Sequence, residues 1–164
     1  AVETRHPTDD VRAPHVYCVN DGQRIDYDSA VYARGLHIGT APLPEMEYLY
    51  EPNASIMKAG CFDLLEERYG VTQIGPNSHL FVAAEPVTDF PGRGFAIEAV
   101  GGMGKKDVRR LLSGVGRANV AVRNFPLTAP QLRKKLKLAD GGDTYLFGTT
   151  IQGGGHILLR TVKV

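Results

Sequence analysis

Apolar and polar positions alternate along Phe95–Val100 (FAIEAV), the period of a half-buried strand. The period then lengthens. Val108, Leu111 and Leu112 fall on one face of a helix expected over Lys105–Leu112, ended by Gly114 and Gly116. Ala118–Val122 (ANVAV) returns to a strand. Thr128 is a good N-cap and Pro130 suits the first helical turn, so a second helix begins there, with Leu132, Leu136 and Leu138 as its apolar side. Gly141 and Gly142 are expected to end it. Aromatic and β-branched residues from Tyr145 to Ile151, a glycine turn at Gln152–Gly155, and His156–Val162 complete a final hairpin. This half reads β-α-β-α-β-β.

The first half is less regular. Ala1–Arg5 has strand character, and Arg12-Ala13-Pro14 breaks it. His15–Asn20 and Gln23–Tyr27 flank Asp21-Gly22, a strong hairpin signal. Ser29–Leu43 is irregular and punctuated by glycine and proline, as a linker would be. Met46–Tyr50 reads as a strand. Asn53 is a candidate N-cap for one long helix over Ala54–Tyr69, with Gly60 inside it and Gly70 ending it. Short strands at Val71–Ile74 and His79–Ala83 follow. The expected class is α/β (α+β): two small two-layer modules at residues 45–88 and 89–164, after a hairpin and linker at residues 1–44. The start at Ala1, without Met, suggests a piece of a longer polypeptide.

Charge divides the chain at the same place. Residues 1–88 hold 6 Lys and Arg against 13 Asp and Glu; residues 89–164 hold 13 against 5. Such asymmetry suggests two units with different partners, a basic unit often meeting nucleic acid; the alternative is that the two halves attract each other. The cations concentrate at Lys105, Lys106, Arg109, Arg110, Arg117, Arg123, Arg133, Lys134, Lys135 and Lys137. Arg109 follows Lys105 by four and Arg110 follows Lys106 by four, so each pair shares a helical stripe. Such stripes suit a phosphate backbone, which makes these ten the nucleic-acid-binding candidates. The competing reading is a face that docks onto an acidic domain.

Catalytic chemistry finds little support. Five scattered histidines and two cysteines show no metal spacing, so no metal site is expected. The cysteine usage suits a reduced, cytoplasmic setting. No stretch approaches the roughly 20 apolar residues of a membrane span. Gly101-Gly102-Met103-Gly104-Lys105-Lys106 lacks both the spacing and the Ser or Thr of a P-loop, leaving only a helix N-terminus able to attract a phosphate. Arg93, after the turn Phe90-Pro91-Gly92, is an anion-binding candidate. A small-molecule site built from Arg93, Arg123 and His79 would need a deep pocket where the three converge.

Several stretches carry a resemblance. Tyr48-Leu49-Tyr50-Glu51-Pro52-Asn53-Ala54, Met57-Lys58-Ala59-Gly60 and Asn77-Ser78-His79-Leu80 look like a small ferredoxin-like domain. Phe90-Pro91-Gly92-Arg93, Arg123-Asn124-Phe125-Pro126, Leu132-Arg133-Lys134-Lys135-Leu136-Lys137 and Gly141-Gly142-Asp143-Thr144-Tyr145-Leu146-Phe147 look like a THUMP-like domain. Both resemble the C-terminal part of a class of bacterial SAM-dependent methyltransferases typical of the Bacteroidetes, over about residues 45–164. The resemblance implies a preceding class I methyltransferase domain in the parent protein, with residues 1–44 as its tail. S-adenosylmethionine is then a cofactor of the parent and not of this chain, whose sequence holds neither a SAM loop nor an N/D-P-P-Y motif. It also implies RNA as the substrate, and a chain that is inactive by itself. The expected role is substrate recognition through the basic face; the alternative is a structural module docked onto the catalytic domain.

Overall fold

A computed structural model of the chain describes residues 45–75 and 77–164 throughout and, before them, the backbone of three strands. Those strands, β1 (Val2–Glu3), β2 (His15–Asn20) and β3 (Gln23–Asp28), form a small antiparallel sheet in that order. Asn20 pairs with Gln23, so two residues separate β2 from β3, as the Asp-Gly signal requires.

From residue 45 onward the chain builds one seven-stranded sheet. Its strands are β4 (Tyr48–Pro52), β5 (Thr72–Gln73), β6 (Phe81–Ala83), β7 (Gly92–Gly101), β8 (Arg117–Arg123), β9 (Ala139–Thr150) and β10 (His156–Lys163). Their spatial order is β5-β6-β4-β7-β10-β9-β8. All neighbours are antiparallel except β8 and β9, which are parallel and joined by a helical crossover. The second half follows the expected β-α-β-α-β-β order, with α3 (Lys105–Leu111) and α4 (Ala129–Lys135). Two more helices, α1 (Ala54–Ala59) and α2 (Phe62–Tyr69), follow β4. The acidic and basic stretches meet within the sheet itself, where β4 pairs with β7 from Tyr48–Ala96 to Pro52–Gly92.

Alternation along the strands sorts the core into layers. Tyr50 and Phe81 face α1 and α2, and bury Ile56, Leu64 and Leu65. Leu146 and Leu158 face α3 and α4, and bury Leu111 and Leu132. On the opposite face Leu49, Val82, Phe95, Phe147 and Leu159 are fully buried with Ile74 and Leu80. That inner face is enclosed because the sheet coils. Gln152 N–H donates to the Ile74 carbonyl (3.2 Å) and Ser78 Oγ to the Thr150 carbonyl (2.5 Å), so the end of β9 meets the β5–β6 loop. Diagonal corners approach in this way when a twisted sheet begins to close.

Two local readings of the sequence need correction. The helix expected over Ala54–Tyr69 is two helices. Gly60 takes a left-handed conformation (φ 68°) and its N–H caps the Ile56 carbonyl, which ends α1. The turn lets Ile56 and Leu64 enter the same core from different directions. The glycines expected to end α4 lie beyond it. That helix stops at Leu136, with Lys137 left-handed (φ 57°), because Leu138 turns into the core and Ala139 N–H already bonds the Gly116 carbonyl. Gly141 (φ 100°) and Gly142 (φ 82°) instead form a bulge in β9, where the partners of β8 jump from Asp140 to Tyr145.

Candidate nucleic-acid interface

The cationic residues separate into two groups when folded. Helices α3 and α4 lie on the same outer face of the sheet and share one core through Leu111 and Leu132. Burying Val108 and Leu111 on α3 leaves Lys105, Lys106, Arg109 and Arg110 exposed. Burying Leu132 and Leu136 on α4 leaves Lys134 and Lys135 exposed, followed by Lys137. Arg117, at the start of β8, is exposed too, with its stem beside Gly142. The α4 helix is firmly begun by a full capping box: Thr128 Oγ1 accepts from Gln131 N–H, and Gln131 returns the bond to Thr128 N–H.

Three of the ten candidates are engaged internally. Arg110 pairs with Asp107 (3.7 Å) and donates to the Val100 carbonyl; Arg133 pairs with Asp140 (3.6 Å); Arg123 pairs with Glu51 (2.7 Å). The other seven make no ion pair with any described residue.

Arg123 belongs to a different site. Glu51 follows Leu49 by two, Arg93 precedes Phe95 by two, and Arg123 follows Ala121 by two, so all three point to the inner face. Glu51 is 7% exposed. Its Oε1 accepts from Arg93 Nε (3.2 Å) and Nη2 (2.6 Å), and its Oε2 from Arg123 Nη2 (2.7 Å). Three strands separate β4 from β8, which a flat sheet would hold about 19 Å apart. Only the coiling lets Arg123 reach. Arg93 also lies over the Phe95 ring (5.5 Å).

His79 stands beside this cluster. Its ring stacks on Phe62 (4.7 Å between centroids) and its Nδ1 is buried without a hydrogen-bond partner. Burial, and then the Arg123 charge, hold its pKa below the usual histidine value. Arg93, Arg123 and His79 therefore do gather in one region. What draws the two arginines is Glu51, which already takes one face of each guanidinium and makes the group a clasp. Two surface depressions among the described residues lie elsewhere: one of about 450 Å³ between Arg68–Gly70 and Ala83–Thr88, and one of about 420 Å³ around Tyr48, Pro86 and Val164.

The glycine-rich turn before α3 is also occupied. Asp107 Oδ2 accepts the Gly102 N–H (3.0 Å) and places a carboxylate where an anion would have to sit. Among the described residues no cluster of His, Cys, Asp and Glu could hold a metal, and no helix is long and apolar enough to cross a membrane.

Comparison with known proteins divides the chain at the β4–β7 junction. Residues 48–91 match the model of a ferredoxin-like domain, and residues 92–163 match that of a THUMP domain-like family. The chain carries a ferredoxin-like and a THUMP-like domain. No curated protein matches the sequence. Among solved structures it resembles one described as a "putative methyltransferase from Porphyromonas gingivalis W83", at 30% identity and a TM-score of 0.81. The likeness covers 99% of this chain and 40% of that one, so the chain spans less than half the length of that protein. Both basic helices fall inside the THUMP-like match, and Glu51 falls inside the ferredoxin-like one.

Sequence reasoning singled out Arg93 and Arg123 but missed Glu51. Its only signal was a charged residue at an inward position of an otherwise apolar strand, Tyr48–Pro52.

Proposed function

We propose that this chain is the substrate-recognition part of a SAM-dependent methyltransferase and that it holds RNA by the phosphate backbone through the outer face of α3 and α4. The observation that carries this reading is the set of exposed cations on two adjacent helices within the THUMP-like match. The methyltransferase association rests on the likeness to the Porphyromonas structure. The glycine-rich turn before α3 offers SAM no cradle, since Asp107 closes it. The chain alone is expected to transfer no methyl group, and S-adenosylmethionine and the chemistry belong to a linked methyltransferase domain.

The test is binding to bulk tRNA across a salt series. Affinity should fall steeply with salt, and reversing Lys134 and Lys135 to Glu should weaken binding and flatten the slope by about 1 for each lysine. These two serve better than Arg133, whose charge is committed to Asp140. Absence of binding at low salt would instead favour docking onto the catalytic domain.

A further inference from the structure

Among the described residues the surface formed by α3 and α4 is basic and exposes no Phe or Tyr, and the His156 imidazole at its margin is engaged by Thr150 Oγ1 and lies edge-on to Phe125. The Phe and Tyr residues of the second half are Phe90, Phe95, Phe125, Tyr145 and Phe147, and Phe90 is buried against Tyr50 and Tyr69. Phe95 and Phe147 are fully buried, and Tyr145 packs with them on the inner face. Phe125 is wedged under α4, against Leu132 and Gly148, with its ring edge-on to His156. Phe125 and Tyr145 are half-buried and the other three are buried, so none stands out as a platform for a base. Among the described residues Val164 is the large apolar side chain left exposed, and it lies beside Gly94 at the end of the chain.

Proteins that hold single strands combine a basic track with aromatic platforms, because stacking repays the entropy of ordering a flexible strand. Here only the charge is present. A duplex offers phosphates already ordered in rigid rows, and two helices fixed on one face of the same sheet present their cations from a rigid support. The deep, narrow major groove of A-form RNA keeps side chains from the base edges. Resting on the RNA-binding reading above, we infer that the ligand of this face is double-stranded RNA, held through its phosphates without regard to sequence.

The experiment measures fluorescence anisotropy of labelled RNA titrated with the full chain. The probes are a duplex of about 20 base pairs, a second duplex of scrambled sequence, and one strand designed to stay unstructured. The two duplexes should bind equally, and both at least about tenfold more tightly than the single strand at the same salt. Lys105→Glu with Lys134→Glu should weaken the duplex complex, whereas Lys58→Glu on α1 should not. Circular dichroism confirms that each variant is folded. Single-strand binding as tight as duplex binding overturns this inference and leaves the RNA-binding reading standing. Failure to bind any of the three overturns both.

Discussion

Glu51 shows how much one inward charge constrains a fold. Two guanidinium groups share its carboxylate, one from the adjacent strand and one from the far edge of the sheet. Glu51→Gln leaves Arg93 and Arg123 facing each other without a counter-charge. Breaking a buried pair costs several kcal/mol, but both arginines are partly solvated, so a loss of about 2 kcal/mol in urea unfolding is expected. Arg93→Met should cost less, because Arg123 still pairs with the carboxylate. His79 adds a pH dependence. Its folded pKa lies below the unfolded value of 6.5, so the unfolded chain takes up the proton first as pH falls. Stability should be complete above about pH 6.5 and decline below it, until the folded pKa is passed. His79→Gln should remove that part of the decline in thermal melts at stepped pH. Arg93, Arg123 and His79 could be named from the sequence, but the carboxylate that joins the two arginines could not. Arg123 and Glu51 are 72 positions apart, and no local pattern encodes so distant a contact.

At the scale of elements the sequence was far more informative. Helices α3 and α4 and the final hairpin stand close to where apolar spacing and turn residues placed them, since those signals are local. Thr128 is a clear case. A capping threonine followed three residues later by Gln131 closes both halves of the box. Thr128→Ala should lower stability by about 1 kcal/mol, measured by chemical denaturation. It should also modestly weaken the RNA binding proposed above, because α4 carries Lys134 and Lys135. Errors arose where glycine has two uses. Gly60 looked like a tolerated interruption but reverses the chain; Gly141 and Gly142 looked like a helix end but serve a bulge that Asn119 fastens by donating to the Gly142 and Thr144 carbonyls. In each case the deciding factor was where Leu64 or Leu138 had to be buried, which is tertiary information.

Over the whole molecule, the division of charge was readable and its geometry was not. Counting Lys and Arg found ten candidates, but only folding separates the seven without ion pairs from Arg110, Arg123 and Arg133. Helix packing then brings α3 and α4 together across β10 and β9, so that cations distant in sequence share one surface. The coiled sheet divides labour between its faces. The outside displays charge, and the inside holds the apolar layer that Glu51 and its arginines close at one end.

The pairing of β4 with β7 bears on heredity as well as on architecture. Family comparison puts a border between residues 91 and 92, yet the hydrogen bonds of the sheet cross it from Tyr48–Ala96 to Pro52–Gly92. A recombination event at that border would give each descendant a raw strand edge, β4 in one and β7 in the other, prone to join whatever strand it met. Exchange between relatives that preserved a covered sheet would have to carry both stretches together, so the two domains are expected to travel as one unit.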